Sequence, residues 1–121
     1  MSEKSRVFVV QRPAYFNRAR RGWVNKYDIT AAEDFGELKF LLNPGNIYKD
    51  KLETAIEHLQ EDLSDYTSND YILAIGDPVA IAATVTIAAF NNAGVINLLK
   101  FDRISQKYDA YQIVINNYKS K

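Results

Sequence analysis

Nine residues between positions 12 and 27 alternate cations with aromatic rings: Arg12, Tyr15, Phe16, Arg18, Arg20, Arg21, Trp23, Lys26 and Tyr27. Single-stranded nucleic acid calls for this pairing of residue types. Guanidinium and ammonium groups neutralise phosphates, while unpaired bases stack on ring faces. Each stacked base contributes about 1–3 kcal/mol, so two or three rings give useful affinity. The competing reading is that the rings anchor this arm to the core, with arginines lying around them. Binding is favoured for the cations as a group, because six charges in the arm and first strand, Arg6 to Lys26, lack local acidic partners, with no acid between them. A second cationic group, Lys100, Arg103 and Lys107 with Tyr108, extends the same surface if the terminal sheet edge lies near the arm.

Other stretches carry weaker chemistry. Gly76-Asp77-Pro78, between a strand and a helix, occupies the position where α/β folds bind phosphate. Asp77 would repel phosphate there, and the chain has neither GxGxxG nor a Walker lysine. His58 falls on the charged side of a helix and reads as solvated. The acid pairs Glu33/Asp34 and Glu61/Asp62 are sequence neighbours that do not face one another on a helix, so no metal site is expected. With no cysteine, disulfides, thiolate zinc sites and thiol nucleophiles are excluded, and a single histidine excludes arrangements needing two. No cofactor is implied.

The 121 residues suffice for one domain, 1–121, with the arm at about 12–30. Charge is segregated along the chain, although it cancels overall. Residues 1–26 carry seven cations against Glu3 alone, a net +6. Residues 27–70 hold eleven acids against Lys39, Lys49 and Lys51, a net −8, and the rest is +2. Local field rather than net charge steers a polyanion, so neutrality does not argue against one. The polar, short start gives no secretory signal, and cytoplasmic residence is the default expectation. The uncharged run from Pro78 to Leu99 is long enough to span a bilayer, but Asn91, Asn92, Gly94 and Asn97 interrupt it, and a helix plus strand explains it better.

These candidates need a scaffold. Arg6–Gln11 reads as the first strand, ended by Pro13. Gly22 suits a hairpin between Tyr15–Ala19 and Trp23–Tyr27, although an irregular arm fits equally well. Phe35–Leu42 is the second strand, closed by Asn43-Pro44-Gly45. Tyr48, Leu52, Ala55, Ile56, Leu59 and Leu63 make one apolar helical stripe opposite Lys49, Asp50, Glu53, Glu57 and Glu61. Tyr71–Ile75 forms a strand, Asp77 caps the next helix, and Pro78 fills its first position. That helix runs to about Ala93 and stops at Gly94. With no charge between Asp77 and Lys100, helix and following strand are expected to be buried. Val95–Phe101, a turn over Asp102–Tyr108 and Tyr111–Ile115 complete a hairpin. The polar tail from Asn116 is expected to fray. The fold class is therefore α/β: two helices and a mixed sheet, with a parallel β-α-β-α-β middle and a C-terminal antiparallel hairpin.

Asp70-Tyr-Ile-Leu-Ala-Ile-Gly-Asp-Pro78, Asn92, Leu98-Leu-Lys-Phe-Asp-Arg103 and Tyr108 resemble a pattern shared by small proteins of tailed bacteriophages. The resemblance covers roughly the C-terminal half and touches scaffold, so it transfers no site residue. One branch of such proteins, from viruses encoding a small RNA polymerase, consists of single-stranded-DNA-binding transcription cofactors. The resemblance implies that function class and, for a phage protein, the host cytoplasm. Ordinary bacterial single-strand binders end in an acidic docking tail, whereas this chain ends in Tyr118-Lys-Ser-Lys121; the acidic helix is the better docking candidate.

The sequence thus points to a non-enzymatic, single-stranded-DNA-binding phage protein acting in viral transcription or replication. An RNA or DNA polymerase is a candidate partner, no membrane is, and a homo-oligomer fits a binder that lengthens its track. The alternative is a protein–protein interaction module, an inhibitor or adaptor of a host enzyme, using the acidic helix. A nucleotide-binding enzyme built on Gly76-Asp77-Pro78 is the third reading.

Overall fold

The computed structural model describes residues 5–25 and 28–115. Lys26, Tyr27 and the tail from Asn116 lie outside the described residues. Five strands form one sheet in the order β4-β1-β5-β6-β7, where β1 is Arg6–Gln11, β4 Glu37–Leu42, β5 Tyr71–Leu73, β6 Val95–Asp102 and β7 Lys107–Val114. The first four are parallel, and β7 returns antiparallel to β6 with Leu98 opposite Tyr111. The expected α/β architecture is therefore present. Its terminal hairpin is longer than expected, because Lys107 and Tyr108 already belong to β7.

β1 is inserted between β4 and β5, so its crossover to β4 runs over one sheet face, and the helices run over the other. Side-chain alternation divides the core accordingly. Phe8, Val10, Leu41, Ile72 and Ile96 pack under helices α1 (Leu52–Asp62) and α2 (Pro78–Asn91). Val7, Val9, Leu73 and Leu99 meet Ile29 and Ala32, from the short 3-10 segment at Thr30–Asp34 and the residue before it. Burial on both sides is why β1 reads as a continuous apolar run.

Both helices follow local signals, with two corrections. Asp77 Oδ1 accepts from the Val79 N–H at 2.7 Å and Pro78 opens α2, as expected. The helix ends with Ala93 in the left-handed region (φ 54°), and the Gly94 N–H closes onto the Ala89 carbonyl at 2.8 Å. Tyr48 does not join the stripe of α1: it precedes the helix and is 64% exposed. Nor is α2 buried all round. Ala80, Thr84, Ala88 and Ala89 face the sheet, but Val79 and Phe90 stand exposed, because α1 covers only one flank. Lack of charge reported burial potential, not burial. No helix among the described residues is long and apolar enough to cross a membrane.

Candidate nucleic-acid interface

The arm leaves the sheet at the carboxyl end of β1. Pro13 and Ala14 are buried at its root, and Ala14–Asn17 (β2) pairs antiparallel with Gly22–Asn25 (β3) as a separate two-stranded ribbon. The hairpin alternative is therefore the one adopted, with shorter strands than expected. Phe16 stands opposite Trp23, and Tyr15 opposite Val24. The Phe16 and Trp23 rings meet edge to face at 5.8 Å, on one side of the ribbon. They anchor each other rather than the core: Tyr15 is 45%, Phe16 52% and Trp23 51% exposed.

Four residues, Arg18 to Arg21, make the tip. The Arg20 N–H donates to Asn17 Oδ1 at 3.1 Å and the Arg21 N–H to the Arg18 carbonyl at 3.3 Å. Arg21 takes the left-handed conformation (φ 56°) that reverses the chain into Gly22. Three guanidinium groups thus project from one tight turn. Among the described residues, Arg12, Arg18, Arg20 and Arg21 take part in no ion pair. Arg12 differs from the tip, because it lines a cleft with Asp28, Glu33 and Glu37, whose carboxylates offset its field.

Arg6 departs from the expectation of cations without acidic partners. Its guanidinium bonds Asp70 Oδ2 at 2.8 Å and Asp65 Oδ1 at 3.1 Å and lies over the Phe8 ring. Sequence distance had concealed both acids. The pair belongs to the amino end of the sheet, opposite the arm.

The second cationic group lies at the same carboxyl end as the arm root. Lys100 stands opposite Asp109 and Lys107 opposite Asp102 in the β6–β7 register, so each has an acid across the ladder. Arg103 sits in the exposed turn. Lys100, Arg103, Phe101 and Tyr108 share a cleft of about 600 Å³ with Asp28 at the foot of the arm. Lys107 is not among the residues lining it. The arm and the terminal hairpin are therefore neighbours, the condition on which the second group depended.

Sequence reasoning missed Gln11. Strand order reverses between β1 and β5, and in α/β sheets ligands bind outside the carboxyl ends at such a point. Here Gln11 fills it. Its Nε2 donates to the carbonyls of Asn43 (2.9 Å) and Gly45 (2.7 Å), and its Oε1 accepts the Asp77 N–H at 2.6 Å. The Gln11 N–H also holds the Ile75 carbonyl at 3.1 Å, keeping β1 and β5 zipped. Asp77 occupies the helix N–H groups, and the N–H groups of Ile47 and then Val79 hold its carboxyl below the usual range. The only sequence signal was a polar residue ending an apolar strand. His58 pairs with Asp62 at 3.0 Å on the exposed side of α1.

No curated protein and no solved structure matches the chain. A family model described as phage Pam3 gp32-like protein matches residues 5–115. That span takes in the arm, the whole sheet and both helices, so the chain belongs to the phage Pam3 gp32-like family.

Proposed function

We propose that this phage-family protein binds single-stranded DNA without catalysing a reaction on it, in viral transcription or replication. The observation that carries the reading is the hairpin tip, where Arg18, Arg20 and Arg21, in no ion pair among the described residues, stand beside the exposed Phe16 and Trp23 rings. Phosphate contacts and generic ring stacking imply little sequence preference and weak binding to duplex, whose bases are already stacked. The testing experiment is a Trp23 fluorescence titration with single- and double-stranded oligonucleotides at two salt concentrations. Tighter single-strand binding that weakens steeply with salt supports the reading, and no response to oligonucleotides overturns it.

A polymerase remains the proposed protein partner. A homo-oligomer is also part of this reading, since the eight-residue β7 stands at the sheet edge with Tyr111, Ile113 and Val114 exposed. The second reading, an interaction module, draws on α1. Its exposed Glu53, Glu57 and Glu61 accompany an apolar furrow lined by Ile56, Val79 and Thr86. Such a module would ignore oligonucleotides and lose partner binding when the three glutamates are replaced.

A further inference from the structure

We propose that the cleft between the foot of the arm and the β6–β7 hairpin receives one unstacked nucleobase that carries an exocyclic amino group. The inference rests on the single-strand reading above and names a base-specific subsite within it. At about 600 Å³ the cleft falls in the size range of small-ligand sites. Its chemistry suits a nucleotide in three ways.

The floor is apolar. Leu73 and Leu99 belong to the core cluster on the sheet face opposite the helices, and Tyr108 packs against it. Phe101 lies opposite Tyr108 in register, so both rings stand on that face at the mouth. Their centroids are 5.2 Å apart at 65°, and this crossed arrangement leaves a base one ring face to stack on and one edge to abut. Phe101 is 40% exposed although it borders the core, so the cleft offers ring surface that the fold itself does not cover.

The rim is polar. Arg103 and Lys100 are among its lining residues, but Lys100 alternates with Phe101 along β6 and its side chain leaves on the helix face. Arg103 is therefore the cation at hand for the phosphate of an entering nucleotide. Asp28 lines the same cleft. Its Oδ1 accepts from the N–H and hydroxyl of Thr30, and those bonds hold its carboxyl below the ordinary range. The carboxylate is thus oriented as an acceptor, with a second oxygen directed to neither Thr30 bond. A carboxylate accepts from the amino group of cytosine, a donor that thymine lacks. An apolar peptide would leave the second oxygen of Asp28 and the Arg103 guanidinium, which takes part in no ion pair among the described residues, without a contact, which favours the nucleotide.

The test follows backbone amide resonances of the full chain during titration with deoxycytidine monophosphate, thymidine monophosphate and inorganic phosphate. Deoxycytidine monophosphate should move the amides of Leu73, Leu99, Phe101 and Tyr108, with an affinity several-fold tighter than thymidine monophosphate. Inorganic phosphate should leave Leu73 and Leu99 unmoved. Asp28→Asn keeps the oxygen that Thr30 uses, and it should abolish the preference for cytosine. If neither nucleotide moves the cleft amides while a cytosine-rich oligonucleotide moves Arg18 to Trp23, the subsite is overturned and the single-strand reading stands. If the oligonucleotide moves neither region, both fall.

Discussion

Arg6 and Asp70, 64 residues apart in sequence, are joined by three hydrogen bonds that fix the amino end of the sheet: backbone N–H to Oδ1 and Nε to Oδ1, each 3.2 Å, and Nη2 to Oδ2, 2.8 Å. Thr67 adds its N–H to the same carboxylate at 2.9 Å. The Asp70 side chain is 2% exposed, so its charge depends on these donors rather than on water.

Asp70→Ala should therefore destabilise the fold by about 3–5 kcal/mol, the range for breaking a buried pair, read from a urea transition. Burial pushes the Asp70 carboxyl up, but the bonds from Arg6 and Thr67 outweigh it and leave it below the ordinary range. A group whose folded pKa is depressed stabilises fully above its unfolded value and loses that contribution as pH falls through the folded one. Stability should fall below about pH 4, and Asp70→Asn should flatten that part of the profile.

Tyr66 links this corner to β6. Its hydroxyl donates to the Asp70 carbonyl and accepts the Asn97 N–H, both at 3.1 Å. Burial pushes the hydroxyl up to about 12, with the Asn97 bond opposing. Its folded pKa is raised, so its contribution is complete below about pH 10 and is lost as pH rises toward the folded value. Tyr66→Phe should cost about 1–3 kcal/mol at neutral pH by orphaning the buried Asn97 N–H, the Asp70 carbonyl keeping its bond from Asn97 Nδ2, and it should remove this alkaline loss.

Arg18, Arg20 and Arg21 carry no structural ion pair among the described residues, so replacing all three by alanine should leave the melting temperature nearly unchanged. Single-strand affinity should drop, and the slope of log affinity against log salt should flatten by about 2 for three lost phosphate contacts. Unchanged affinity and slope would remove the hairpin from the interface.

Trp23 lies half-exposed against Phe16, outside both core clusters. Trp23→Ala should weaken oligonucleotide binding by about 1–3 kcal/mol. Global stability should change by no more than about 1 kcal/mol, since only the ring pair is lost. Calorimetric titration, which does not depend on the indole signal, checks the first value, and urea denaturation the second.

Gly76 adopts φ +133°, and a Cβ there would sit 2.3 Å from Gln11 Oε1. Gly76→Ala should cost about 1–3 kcal/mol from the backbone conformation, with the displaced amide adding to it. Gln11→Ala should loosen the Asn43–Gly45 turn and the start of α2 together, because one side chain bonds both. Faster amide exchange at Asp77 is the expected readout.

Elements whose cause is local were legible before any coordinates. β-branched residues made β1, Asp77 and Pro78 opened α2, Leu52 to Leu63 gave α1 its stripe, and the short turn set β7 antiparallel. The arm's composition was equally plain, since five cations and four aromatic side chains needed no fold to be counted. Each of these follows from neighbours within a turn or two, where backbone preference and periodicity act.

Tertiary structure decided the rest. It set β1 between β4 and β5, gave Arg6 its acids, put Gln11 into the reversal point, left one flank of α2 uncovered, and brought the terminal hairpin beside the foot of the arm. These outcomes depend on which surfaces meet across tens of residues. A chain records the types of its side chains locally, but their partners only through packing, so the cations were countable in the sequence and their availability was not.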